Sequence, residues 1–107
     1  MHMPPTSNVL LTSNNYFQWK SHMEDLLRSK GLYQITLGRE KAPTDVDKKA
    51  KWDNRNAEAR GLIRISISPD LRYHIQDIDD PKESWNTIEF MFGKINIIRA
   101  QQLENQN

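Results

Sequence analysis

Few side chains in this sequence have the types and spacing that chemistry requires. His74 and Asp77 stand three residues apart, which puts both on one face of a helix. One histidine and one aspartate are too few ligands for a metal site, and no third group completes an acid–base set around them. The pair reads as solvated helix surface. Ser66 and Ser68 have no nearby histidine that would activate a nucleophile. The glycines Gly31, Gly38, Gly61 and Gly93 are too dispersed to form a phosphate-cradling loop. The chain has no cysteine, which excludes disulfides, thiol catalysis and a cysteine-type zinc site. The expectation is a protein with no catalytic residue, no metal ligand and no cofactor, and therefore not an enzyme.

Charge points the same way. Lys48-Lys49-Ala50-Lys51 is a short basic run, offset by Asp45, Asp47 and Asp53. It reads as the outer face of a helix. The formal net charge is +1, with bases and acids interleaved, so this segment has no electrostatic case for nucleic-acid binding. No apolar run approaches the length of a membrane span or a signal-peptide core. Together with the missing cysteines, this gives the expectation of a cytoplasmic protein without membrane contact.

What the chain does have is aromatic anchors on helix-period stripes. Trp19 leads to Met23, Leu26 and Leu27; Trp52 to Ala59, Ile63 and Ile67; Trp85 to Ile88, Met91 and Phe92. Residues three and four apart share a helix face, so each set reads as a buried stripe. At 107 residues the chain is one domain. The expected core is Tyr16, Trp19, Met23, Leu27, Leu32, Trp52, Ile63, Ile67, Leu71, Ile75, Trp85, Ile88 and Phe92. The fold class is all-α: a compact bundle of about five helices behind an extended N-terminal arm.

The punctuation supports those boundaries. Residues 1–13 form the arm, pinned by Val9-Leu10-Leu11; residues 14–107 form the helical domain. Ser13 or Asn14 caps a first helix that runs to about Lys30, where Gly31 supplies the stop. Leu32 to Ile35 is a helical turn or a brief strand. A second long helix begins near Thr44 or Asp47 and ends near Ser68, and Gly61 inside it suggests a close helix crossing. Ser68-Pro69-Asp70 and Asp80-Pro81-Lys82-Glu83 each read as a cap followed by proline at the first helical position. The first opens a short helix lined by Leu71, Ile75 and Ile78; the second opens the Trp85 helix, which Gly93 ends. From Ile95 a last helix begins and is truncated among Glu, Asn and Gln. Phe17 falls off the first stripe. With Tyr33, Ile95 and Ile98 it is a candidate interface residue.

Taken in order, these anchors resemble the N-terminal region of the Gag polyprotein of copia-type LTR retrotransposons. The likeness runs through Leu11, Asn15-Tyr16, Trp19, Met23, Leu27, Gly31-Leu32-Tyr33 and Ile35. It continues through Trp52, Ala59, Ile63, Ser66-Ile67, Leu71, Ile75, Glu83, Trp85, Ile88, Phe92, Arg99 and Leu103. Family members often carry tryptophan at the place of Tyr33. The family also continues into a second helical half and often a zinc knuckle that grips RNA, and this chain has neither.

The resemblance implies a capsid-like lobe whose work is association with copies of itself, contributing to virus-like particles. The homo-oligomer would form through weak contacts, and RNA would be held only by regions outside this chain. An alternative is a domesticated adaptor that holds a host partner's peptide in a groove between helices.

Overall fold

The computed structural model describes residues 9–94. Helix α1 spans Tyr16–Ser29, α2 Tyr33–Thr36, α3 Val46–Ile65 and α4 Pro81–Ile88. A 3-10 helix, Pro69–His74, lies between α3 and α4, and a π-helical turn, Glu89–Gly93, extends α4. The architecture is an all-α bundle, as the stripes require. The strand-like pairing among the described residues is one isolated parallel bridge, Leu11 to Ile67.

The arm is fastened by backbone and side chain together. Leu11 N–H donates to the Ser66 carbonyl at 2.8 Å, and Ser68 N–H donates to the Leu11 carbonyl at 3.1 Å. Leu11 itself is fully buried, while Leu10 faces outward. Asn15, rather than Ser13 or Asn14, occupies the N-cap position of α1. Its amide braces the arm instead of the helix: Oδ1 accepts from Thr12 N–H and Nδ2 donates to the Leu10 carbonyl, each at 2.8 Å.

Gly31 has φ of +70°, the left-handed conformation a helix stop needs. The segment after it is a helical turn, so the helix-or-strand alternative resolves to α2. Asp45 caps α3 by accepting from Lys48 N–H at 3.0 Å. Asp80 accepts from Lys82 N–H at 3.1 Å, with Pro81 at the first helical position of α4. Both caps satisfy backbone donors that would otherwise be orphaned at a helix start.

Tyr16, Trp19, Met23, Leu27, Leu32, Ile63, Ile67, Ile75, Trp85, Ile88 and Phe92 are buried as expected, joined by Leu11, Ile35 and Ala59. Trp19 is the junction. Its ring lies 5.3 Å from that of Trp85 on α4, and its indole N–H is shared between Ser66 Oγ at 3.0 Å and the Ser66 carbonyl at 3.2 Å. Ser66 is the C-cap residue of α3, so one indole ties together α1, α3 and α4 while the arm pairs with the same carbonyl.

Several expectations are corrected. Trp52 is half-buried, not core: its ring packs against the core, but its indole N–H donates to the Glu40 carbonyl at 3.1 Å at the rim of the bundle. The loop after α2 meets it there, and an indole with one polar edge is well satisfied at such a boundary. Leu71 is also half-buried. A 3-10 helix has three residues per turn, so Leu71 and Ile75 do not stay on one face as they would in an α-helix.

Helix α3 ends at Ile65, because the next residues turn to pair with the arm. Gly61 meets nothing within 4 Å of where a Cβ would stand, so no close crossing occurs there. Gly93 does not end the last helix, since Lys94 remains helical. Its role is a close approach: a Cβ there would lie 3.3 Å from the Tyr16 ring. The last helix expected from Ile95, with Ile98, lies outside the described residues, as does most of the arm.

Candidate functional site

Where α1 begins and α4 gives way to the π turn, two large apolar rings stay out of the core. Phe17 is 51% exposed and Phe90 67% exposed. The helical period explains the first. Tyr16, Trp19, Met23 and Leu27 point inward at spacings of three and four, so Phe17 is rotated about 100° away from Tyr16. Along α4 the inward set is Pro81, Ser84, Trp85 and Ile88. The π turn then buries Phe92 and Gly93 and leaves Glu89 and Phe90 outside.

The two rings flank a cleft of about 330 Å³ lined by Tyr16, Phe17, Asn86, Glu89, Phe90, Gly93 and Lys94. The Tyr16 and Phe17 rings meet edge-on at 5.2 Å. Tyr16 has its phenol pKa pushed up, first by burial and then by Glu89 and Glu24. The rim carries both signs of charge. The Lys94 ammonium sits 4.7 Å over the Phe90 ring, and Lys20 reaches Glu89 at 4.0 Å.

Of the candidate interface residues, Phe17 lies in this cleft and Tyr33 does not. The Tyr33 hydroxyl donates to Glu24 Oε2 at 3.1 Å, and the Arg28 guanidinium stacks 4.2 Å from its ring centre. Burial, followed by the hydrogen bond to Glu24, raises the Tyr33 pKa. Its surroundings are a separate shallow depression with Arg28, Gly31, Gln34 and Glu40. Sequence reasoning missed Phe90. The signal was there: Phe90 falls off the Trp85–Ile88–Phe92 stripe just as Phe17 falls off the first one.

The other features singled out for chemistry in the sequence lie away from this cleft. His74 stacks on Tyr73 at 4.0 Å and meets Phe92 edge-on at 5.8 Å. Among the described residues no three His, Asp or Glu side chains gather where a metal ion could sit. In the lysine run, Lys49 pairs with Asp53 at 3.1 Å, one turn along α3. Lys48 and Lys51 line a groove beside Trp52, Lys41, Pro43 and Arg55.

Arg55 is a clamp the sequence did not announce. Its guanidinium grips both Glu40 oxygens, one of them at 2.9 Å, and also donates to the Gly31 carbonyl. It thereby ties α3 to the α1–α2 turn and to the loop after α2. The hydrogen bond from Arg55 holds the Glu40 carboxyl below its usual range. Among the described residues no helix is long and apolar enough to cross a membrane.

Compared with known proteins, the chain is similar to the retrovirus-related Pol polyprotein from transposon TNT 1-94 of Nicotiana tabacum. The two are 27% identical over 93 residues, covering 87% of this chain and about 7% of that polyprotein. The likeness is to a retrotransposon polyprotein, in keeping with the ordered anchors from Leu11 onward. The chain spans only a small part of this relative's length. No family model matches the chain, and no solved structure matches it.

Proposed function

We propose that this chain is a non-catalytic self-association module, the capsid-like N-terminal lobe of a retrotransposon Gag, which contributes to assembly of a virus-like particle. The observation that carries this reading is a stiff helical body with an aromatic face outside its core. Trp19, Trp85 and Ser66 lock the helices together, while Phe17 and Phe90 stay at the surface. Similarity to a retrotransposon polyprotein over most of the chain supports the same reading.

Shell building needs contacts that are weak singly and strong together. A contact with a dissociation constant near 1 mM is worth about 4 kcal/mol. It breaks often enough to correct errors, and several such contacts per subunit then stabilise the lattice by avidity. Sedimentation velocity of the purified chain from about 10 μM to 1 mM tests this, a range set by that affinity. The expected result is a monomer that shifts reversibly toward dimer at the upper end. A chain that stays monomeric throughout, or forms a tight closed oligomer at the lowest concentration, contradicts it.

A further inference from the structure

We infer that the Phe17–Phe90 cleft is the docking site for a second copy of this chain, placed about a two-fold axis so that Glu89 of each copy faces Lys94 of the other. The inference rests on the self-association reading and assigns that reading to one surface.

Three observations select this face. The first is apolar exposure with shape. Phe17 and Phe90 are the exposed aromatic pair flanking a common cleft, and its volume of about 330 Å³ leaves room for a ring from outside. The other exposed apolar pair that shares a cleft, Leu10 and Ile65, flanks only about 110 Å³. Val46 and Tyr73 are exposed but line none of the clefts described. Aromatic side chains, phenylalanine included, are enriched at contacts between proteins.

The second is preformation. The cleft floor is Tyr16 packed against Gly93, where any side chain would crowd the ring. A π turn inserted into a helix presents Phe90, and such turns recur at functional sites. The face is therefore held by the core and does not have to be ordered on binding.

The third is charge, which chooses the occupant. A rim of one sign would repel a second copy and attract an oppositely charged stranger. This rim holds Glu89 and Lys94 with Lys20 beside Glu89, and a rim of both signs can pair with its own copy when a two-fold rotation sets Glu89 opposite Lys94. The internal pairing of Lys20 with Glu89 is long, at 4.0 Å, with Glu89 exposed and Lys20 partly so, and it competes little with a partner's lysine. A contact built from one cleft and two rings on each side is small, and small contacts sit at the weak end of protein interfaces. The contact is accordingly weak, as a lattice contact must be.

The test is sedimentation of the whole chain up to about 1 mM, the affinity range set above, for the wild type and for F17A/F90A, E89K and K94E. Thermal melting of each is read in parallel. The double alanine variant is expected to weaken self-association at least tenfold with its melting curve unchanged. E89K and K94E are each expected to weaken it at least threefold, because both place like charges opposite each other. An equimolar mixture of E89K and K94E is expected to restore wild-type association, since it re-forms both opposite-charge pairs in trans.

Undiminished association in F17A/F90A would move the contact to another face, overturning this inference and leaving the self-association reading intact. A wild type that never associates would remove that reading itself. A mixture that fails to recover would overturn the two-fold pairing. A lowered melting temperature in F17A/F90A with association unchanged would mean that the chain's own residues cover the cleft.

Discussion

Phe17 and Trp19 stand two residues apart on the same helix and do opposite work. Trp19 is buried among Trp85, Tyr16 and Ser66, where its ring and its N–H are both used. Phe17 touches Tyr16 edge-on and otherwise faces the cleft beside Phe90. A rotation of about 200° around α1 separates a residue that holds the molecule together from one that is free to hold something else. Under the proposed function, stability and association are carried by different side chains, so each can be altered without the other.

The largest effect that would sharpen this contrast is at the junction. Trp19→Ala is expected to cost roughly 3–5 kcal/mol of unfolding free energy, a large share of the stability of a domain this small. Urea unfolding followed by circular dichroism measures it. A loss below about 1 kcal/mol would mean that Trp19 is not the junction described.

Trp52 is the intermediate case. With its indole half-buried and hydrogen-bonded at the rim, Trp52→Ala is expected to cost roughly 1–2 kcal/mol, since only part of its surface leaves water on folding. The same urea titration ranks it between Trp19→Ala and Phe17→Ala; the latter is expected within about 0.5 kcal/mol of wild type. Equal losses at Trp19 and Trp52 would erase the distinction between core and rim.

The Arg55 clamp predicts a pH dependence. Glu40 has its pKa lowered in the folded state by the hydrogen bond from Arg55. The unfolded chain therefore takes up the proton first as pH falls. The stabilisation is present above the ordinary glutamate pKa and is lost as pH drops through the folded one. Both side chains are more than a third exposed, so its size is about 0.5–1 kcal/mol after solvent screening. Glu40→Gln should flatten the acid limb of the stability curve by that amount and leave association untouched. An unchanged acid limb in that variant would remove the clamp from the account.

One further effect has the opposite sign. Ser84 is fully buried on α4 and its Oγ finds no hydrogen-bond partner. Ser84→Ala removes an unpaired hydroxyl and raises helix propensity, so it should stabilise the protein by up to about 1 kcal/mol. A destabilised variant, measured by the shift in urea midpoint, would show that the hydroxyl is satisfied in solution.

Much of the fold could be read from residue spacing because a helix imposes a fixed period. The stripes through Trp19, Ile63 and Trp85 placed most of the core, and Asp80-Pro81 placed the start of α4. Gly31 marked the end of α1, since its left-handed backbone is a local property. The candidate interface residues were less legible. Phe17 could be singled out because it broke a stripe. Phe90 broke one equally, but nothing local distinguishes an exposed ring that flanks a cleft from one that stands alone.

The sequence by itself determined which residues can share a helix face and where helices can start, because periodicity, capping and positive φ are settled within a few residues of chain. Tertiary structure decided what lies opposite each face. It left Trp52 at the rim, drew Ser66 into the centre, used Gly93 for an approach instead of a stop, and set Phe17 beside Phe90. Burial depends on the packing partner, and the partners here are brought together from distant parts of the chain.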